Sequence, residues 1–404
     1  ALWNVANRQR VDVLSKWPRG DRRFVSYLDQ QPQLTELREA IDWLRDVPCN
    51  ACQGVLRDLD KAWQRLFKGL ADRPNFKRRW DSVGMIDPAF RATWVGDDWI
   101  RLPKLGRVHA VIHRPLAGSP KTCTVTRRGD HWFASICTEV QIPDPCVSRR
   151  AVVGIDRGVT SILADSDGRT VAPPDRLVRM AKLVDVAKAK ADRKQKGSNN
   201  RAKAQRLVTQ RQMKETDIRR EFLHEESRYY AECYGVIVVE KLKIDNMTKS
   251  AKGTVEEPGR NVKAKAGLNR AILRSGWGQF VTMLCYKAEE TGAIVVEVPA
   301  AYSSQTCSEC GHVASENRNG KRFCCVSCGH EDDADINAAR VLVQRYRNGE
   351  GAIIGGYNSK LKPKKTLRVT KGKKKTCAAT PAVDARSFVK AGTQITGEAH
   401  VGTL

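Results

Sequence analysis

The chain has 404 residues, with 71 Lys and Arg against 45 Asp and Glu, a formal net charge of +26 and 41% hydrophobic residues; that is length for roughly two to four domains with real cores. A cationic surplus of this size repels itself and calls for a polyanionic partner, nucleic acid ahead of an acidic membrane face. No apolar run approaches the ~18 residues of a membrane-spanning helix, and thirteen cysteines, an odd number spread through a long chain, point to a reducing cytosol and metal ligation rather than a disulfide framework.

The opening ALWNVANRQRVDVL is amphipathic and lacks the apolar core and cleavage site of a signal peptide. Helical spacing runs from Leu2 to about Arg73, with Leu56, Leu59, Trp63, Leu66 and Leu70 on one face. Cys49 and Cys52 form a CxxC without a second pair nearby, and are expected as buried helical cysteines. PNFKRRW, Pro74 to Trp80, breaks the helices and sets Lys77, Arg78 and Arg79 beside aromatics. These are candidate phosphate contacts, with a solvated linker as the alternative. Next, VHAVIHR, TCTVTRR and WFASICTEV alternate with period two between turn signals, predicting an antiparallel barrel or sheet from about Trp94 to Gln141.

PDPCVSRR marks a boundary, after which AVVGIDRGVTSILADSDGRTV predicts two strands around a bend, with a closing turn at Asp167-Gly168. From Arg176 to Arg220, fifteen Lys and Arg face four acids, and KGSNNR interrupts the run. This predicts a helical pair with a basic face, whose elbow residues Arg193, Lys194, Lys196 and Arg201 are candidate nucleic-acid contacts. GVIVVEKL is a strand covered on both faces and ending in an acid. A Lys/Gly-rich loop, a helix with Leu273, Trp277, Phe280 and Leu284 along one side, and the strand AIVVEVP follow. Strand, helix and strand in that order predict a parallel α/β sheet. A last helix is expected from about Asp335 to Tyr346, then a disordered cationic tail from Asn348.

CSEC and CVSC lie fourteen residues apart around Gly311, Asn317, Asn319 and Gly320. Each pair presents two thiolates through a tight knuckle, so Cys307, Cys310, Cys325 and Cys328 are expected to enclose Zn²⁺ tetrahedrally. Four thiolates leave no open position, so this zinc is structural rather than catalytic.

The second pair runs straight into four acids, Glu331, Asp332, Asp333 and Asp335, in a basic chain. In α/β sheets, active groups gather at the carboxyl ends of strands and at helix starts. Asp156 follows the strand AVVGI, Glu240 ends GVIVVE and Asp335 opens the last helix. If these elements are neighbours, three carboxylates converge, an arrangement that calls for divalent cations to offset their repulsion. Oxygen donors suit Mg²⁺ or Mn²⁺, and two such ions can activate water and stabilise the leaving oxygen in phosphodiester hydrolysis. Each acid also has a plain structural role open to it, as turn residue, strand end or helix-start acid. Asp165, Asp167, Asp332, Asp333 and Glu297 compete for the same site.

GIDRGV, VVEKL, YSSQTCSECG, FCCVSCG and DADINAA, in that order, resemble the nuclease half of the transposon-encoded RNA-guided DNA endonucleases of the TnpB family, relatives of compact type V CRISPR effectors. The likeness continues through PNFKRR, LPKLGRVHAVIHRPL, KGSNNRAKA and NVKAKAGLNRAILRSGWGQF, so it covers roughly residues 1 to 346. It implies a multidomain α+β protein whose core is an RNase H-like (RuvC-like) α/β nuclease with an inserted zinc ribbon, preceded by a helical lobe and a wedge β-barrel. The expected boundaries are 1–80 for the helical recognition lobe, 81–150 for the wedge barrel and 151–300 for the nuclease core with its basic helical pair at 176–233. The zinc ribbon then takes 301–332, the final nuclease segment 333–347 and the basic tail 348–404. By the resemblance, Asp156, Glu240 and Asp335 occupy the places of the catalytic carboxylates and hold Mg²⁺ or Mn²⁺. A guide RNA and double-stranded target DNA are the implied partners, with no membrane, in a prokaryotic cytosol near the nucleoid; sequence is read by base pairing. An RNA-guided repressor that binds without cutting and an RNase H-fold transposase are the competing classes.

Overall fold

The computed structural model describes residues 1–16, 24–78, 85–87, 90–129, 131–141, 143–145, 151–251, 253, 257, 259–357 and 397–401. They fall into two units, Ala1–Gln141 with Thr376–Leu404, and Ile142–Lys375.

In the first unit, the apolar spacing of the opening segment becomes α1 (Leu2–Lys16), α2 (Tyr27–Ala40), α3 (Asp42–Asp46) and α4 (Cys49–Phe67). Ser26 and Asp29 cap α2 reciprocally, the Ser26 N–H donating to the Asp29 carboxylate at 2.8 Å. Leu34, Leu44, Leu56, Leu59 and Trp63 form the helical core. Buried Trp63 still satisfies its indole N–H, which donates to Asn7 Oδ1 at 2.9 Å. The apolar stripe of α4 is shorter than its spacing suggests: the helix ends at Phe67 and Leu70 lies exposed beyond it. Cys52 is buried as expected, whereas Cys49, at the first position of the helix, is exposed.

The period-two segments form β1 (Met85–Asp87), β2 (Trp99–Leu102), β3 (Gly106–Val111), β4 (Ser119–Arg128) and β5 (His131–Glu139), and every pairing among them is antiparallel. Ile100, Leu102, Ala110, Cys123, Val125, Ala134 and Ile136 make the buried face, the alternation that a half-buried sheet demands.

The second unit opens with β6 (Val152–Asp156), β7 (Leu163–Asp165) and β8 (Thr170–Val171), then α5 (Asp175–Asp192) and the 35-residue α6 (Asn199–Cys233). There follow β9 (Val236–Lys241), the short α7 (Ile244–Met247), α8 (Val262–Ser275), α9 (Trp277–Thr291) and β10 (Ile294–Pro299). A small three-stranded sheet of β11 (Arg318–Asn319), β12 (Arg322–Cys324) and β13 (Glu331–Asp333) leads into α10 (Ala334–Arg347). β14 (Ala352–Gly356) closes the main sheet, whose strand order is β14-β10-β9-β6-β7-β8. β6, β9 and β10 run parallel, as their uninterrupted apolar sequences predict, and the outer strands run antiparallel.

Helices cover both faces. Phe222, Leu223 and Tyr230 of α6 and Phe280 and Leu284 of α9 pack on Val153, Ile155, Ile237, Val239 and Val295. On the opposite face, Leu342 of α10 meets Val238, Val296 and Val298. Gly154 sets the closeness of that second contact, because a Cβ there would lie 2.1 Å from the Ala339 carbonyl oxygen. The single helix expected around Leu273 to Leu284 is two. Gly276, at φ +74°, is in the left-handed region between α8 and α9, and this turn leaves Leu273 exposed. The expected disordered tail from 348 is corrected at two points: α10 is followed by β14, which pairs antiparallel with β10, and Gly397–Val401 (β15) pairs with β3 and β5 in the first unit. Backbone pairing, rather than composition, decides both segments. The rest of that tail lies outside the described residues, as does Arg79. Among the described residues, no helix is long and apolar enough to cross a membrane.

Candidate active site

Side-chain alternation sets Asp156 and Glu240 on one face of the sheet, and Asp335 opens the helix that covers that face; the carboxylate oxygens of the three do not all lie within 4.8 Å of one another. Gly154 of β6 lies against α10, so Asp156, two residues on, projects from the same face. Val238 of β9 packs on Leu342 of α10, so Glu240 does likewise. The β6–β9 ladder reaches Ile155↔Val239, and Asp156 and Glu240 follow it side by side. Asp335 enters from the first turn of α10, the helix covering that face. Its position depends on the preceding small sheet: Asp333 ends β13 and caps α10, accepting from the backbone N–H groups of Asp335 at 2.9 Å and Ile336 at 3.3 Å.

The charges of these groups act on one another. Burial pushes Asp156 up to about 8, with Glu240 and then Asp335 adding repulsion, while Arg318 and Arg157 oppose the shift. Glu240 is raised by burial and drawn back by Arg157. The Arg157 backbone N–H donates to Glu240 Oε1 at 3.1 Å, its Nη2 donates to the Glu240 carbonyl, and its Nε stands 3.7 Å from Oε1. Arg318, on β11, pairs with Asp335 at 3.2 Å. Three acids against two guanidiniums leave one carboxyl without a counter-charge, so without a cation Asp156 keeps its proton at neutral pH, and an all-oxygen donor set there suits a hard divalent cation.

The competing acids are engaged elsewhere. Asp165 Oδ1 accepts from the N–H groups of Asp167 and Arg169 and its Oδ2 from Tyr230 Oη, while Asp167 accepts from Tyr234 Oη at 2.8 Å, so both build the turn between β7 and β8. Asp332 pairs with Arg340 at 2.7 Å and Asp333 is the helix cap. Glu297 lies between Val296 and Val298, both of which face α10, and therefore projects from the opposite face to Glu240.

The four predicted cysteines do meet. Among the described residues, Cys307, Cys310, Cys325 and Cys328 are the one group of three or more His, Cys, Asp or Glu side chains whose ligand atoms all lie within 4.8 Å of one another. Sγ separations of 3.7 Å for Cys307–Cys328 and 3.5 Å for Cys310–Cys325 match the ~3.8 Å edge of a tetrahedron with ~2.3 Å metal–sulfur bonds. The knuckles repeat one pattern: Cys307 and Cys325 donate N–H to the carbonyls of His312 and His330 and accept from Gly311 and Gly329. Backbone N–H groups of Cys328 and Ser327 bring the Cys325 thiol down to about 6. Two buried amides fasten this ribbon. Asn317 accepts from Val326 N and donates to the Gln305 carbonyl, and Asn337 of α10 accepts from Ser308 N and donates to the Thr306 carbonyl. Lys321 reaches Ser161, on the loop after β6, at 2.9 Å.

Of the basic candidates, Arg193, Lys194 and Lys196 are exposed at the α5–α6 elbow. Arg201 is committed to structure, donating to the Ala191 and Lys194 carbonyls at 3.1 and 2.9 Å and closing the end of α5. Lys77 and Arg78 are exposed, and the Lys77 ammonium lies 5.0 Å from the Trp3 ring centroid. Sequence reasoning did not pick out Arg157, Arg318 or Asn337, and took Asn317 only as one of the residues between the two knuckles. The one available hint was an arginine adjoining Asp156 in GIDRGV.

Two family profiles match. Residues 135–251 fit OrfB_IS605, described as "Probable transposase", and residues 277–342 fit the Cas12f1-like TNB domain. A protein of Escherichia coli (strain K12) named "Putative RNA-guided DNA endonuclease InsQ" is 36% identical over 80% of this chain and 81% of its own length. A "Putative RNA-guided DNA endonuclease" of Streptomyces pristinaespiralis is 31% identical over 80% of this chain and 78% of its own. Among solved structures, a Cas12f1–sgRNA–target DNA complex matches 84% of this chain and 79% of its own, at 14% identity and a TM-score of 0.48.

Proposed function

This chain belongs to the TnpB family of transposon-encoded RNA-guided DNA endonucleases, and on that premise we propose that it binds a guide RNA and cuts double-stranded DNA at Asp156, Glu240 and Asp335. The observation that carries the assignment is one of placement: Asp156 and Glu240 continue the parallel β6–β9 ladder side by side on the face that α10 covers, and Asp335 stands in the first turn of that helix, although the three come from separate segments. The main sheet, with β6 flanked by antiparallel β7 on one side and parallel β9 on the other, supports a RuvC-like core made of residues 151–300 and 333–347, to which β14 adds an edge. We take 301–332 as a zinc ribbon, 1–80 as a helical recognition lobe and 81–150 as a wedge domain.

Asp156, Glu240 and Asp335 would hold Mg²⁺ or Mn²⁺, which supplies charge neutralisation at the scissile phosphate and an acidified water. The protein's own groups do the positioning. The Arg157 main chain fixes the Glu240 carboxylate, the ribbon-capped start of α10 fixes Asp335, and Arg318 balances charge beside it. Cys307, Cys310, Cys325 and Cys328 would hold zinc, which stiffens the strand that ends in the Asp333 cap. Exposed Lys77, Arg78, Arg193, Lys194 and Lys196 offer charge to phosphates, with sequence read by the guide.

The test is plasmid cleavage by the full chain on its co-purified RNA, in Mg²⁺. Asp156→Ala, Glu240→Ala and Asp335→Ala each lower the cleavage rate on the order of 1,000-fold while RNA affinity stays within about twofold. Undiminished cutting by the first two variants removes the carboxylate assignment. Target binding without cutting by the unmodified chain makes it a repressor, and strand-joined products make it a transposase.

A further inference from the structure

Arg157 is a charged side chain almost wholly withdrawn from water, with 3% of its side-chain surface exposed. It follows Asp156 directly but reaches across the end of β9, where Nη2 donates to the Glu240 carbonyl. Its Nε, 3.7 Å from Glu240 Oε1, has no hydrogen-bond partner among the described residues. Burying a guanidinium with a donor unsatisfied is costly and calls for compensation. Orientation of Glu240 does not supply it, because that carboxylate already accepts from the Arg157 main-chain N–H at 3.1 Å, a bond any non-proline residue makes. Beyond its bond to the Glu240 carbonyl, what the side chain contributes is a fixed positive charge against Glu240 and Asp156.

We propose that the Arg157 guanidinium is a positioning charge that holds down the affinity of the Asp156–Glu240–Asp335 cluster for divalent cation. Resting on the carboxylate assignment above, the inference has a sign that follows from electrostatics. A buried positive charge beside Glu240 and Asp156 competes with any cation those acids bind, so neutralising it strengthens cation binding. A role in orientation or packing gives the opposite sign, since a loosened Glu240 binds more weakly. Arg318 balances the same cluster from the ribbon side, but it is partly exposed and free of such burial, so water screens it more. Weakened affinity has a use in a site of this kind, since a cluster that grips cations too tightly holds its product phosphate as well.

The experiment is a Mn²⁺ titration of the full chain on its guide RNA, read from the free-ion EPR signal. The Asp156→Asn protein on the same RNA is subtracted to remove sites on the nucleic acid. Arg157→Met and Arg157→Gln are expected to bind Mn²⁺ about tenfold more tightly than the unmodified chain, and Arg157→Lys, which keeps the charge, within about twofold of it. Two neutral variants guard against one that fails to fold, and melting of each complex reports folding independently. Unchanged or weaker Mn²⁺ binding in the folded neutral variants overturns the inference while leaving the triad in place. If Asp156→Asn removes no Mn²⁺ site at all, the carboxylate assignment falls first and Arg157 falls with it.

Discussion

Held at about 8, first by loss of water and then by Glu240 and Asp335, Asp156 makes the cation-free protein sensitive to pH. Its folded value lies above the unfolded value near 3.8, so between pH 4 and 8 the folded state binds the proton that the unfolded chain releases. Stability therefore falls as pH rises through that window, by a penalty on the order of 3 to 5 kcal/mol that is complete above pH 8 and absent below pH 4. Asp156→Asn mimics the protonated acid. In Mg²⁺-free buffer it should melt a few degrees above the unmodified chain at pH 8, with the gap closing toward pH 4. Equal melting at both ends shows that Asp156 is not charged against its neighbours. The placement of Asp156 and Glu240 near strand ends and of Asp335 at a helix start was legible in the sequence from the apolar runs beside them. Their arginine counterweights were not, since a guanidinium's partner is set by how far a long side chain reaches after folding. Arg201 is the converse case, a basic residue in a basic run that turns inward to close a helix end.

The distance between α10 and β6 governs where Asp335 stands, and one residue controls it. Gly154→Ala places a methyl 2.1 Å from the Ala339 carbonyl, a backbone atom that can give way only by moving the helix. The expected result is a loss of about 2 to 4 kcal/mol in stability and at least tenfold in cleavage, because a carboxylate displaced by 1 Å no longer meets its partners. Denaturant melts and cleavage rates measured together check this, and a variant with unmoved activity separates helix placement from catalysis. The strands β6, β9 and β10 could be read from their unbroken apolar runs, and the cysteine knuckles from their spacing alone. The break at Gly276 could not, because the apolar positions of α8 and α9 keep helical phase across it. β14 was hidden by its brevity and by the glycines in AIIGG, which suggest loop until β10 offers a partner.

Across the whole molecule, the net charge of +26 sets how strongly salt weakens the grip on nucleic acid. The α5–α6 elbow carries part of that charge in an exposed cluster. Replacing Arg193, Lys194 and Lys196 together with Ala should flatten the logarithmic dependence of RNA affinity on salt by about two to three units, with cleavage per bound complex retained. A slope that does not change assigns the elbow to solvent. Composition alone announced a polyanionic partner, and motif order announced the nuclease half. The division into two units with the far C-terminal strand in the first was invisible, because pairing between residues so distant leaves no local signature.

The chain order of the site has a consequence during synthesis. Asp156 and Glu240 emerge well before the ribbon, and Asp335 follows only after both knuckles have left the ribosome and β13 can present its cap. Most of the chain, the basic elbow included, is thus translated before the third of the proposed carboxylates. On the proposed assignment, a prematurely terminated product lacking α10 would keep the basic elbow but lack the third carboxylate, and would hold nucleic acid without cutting it.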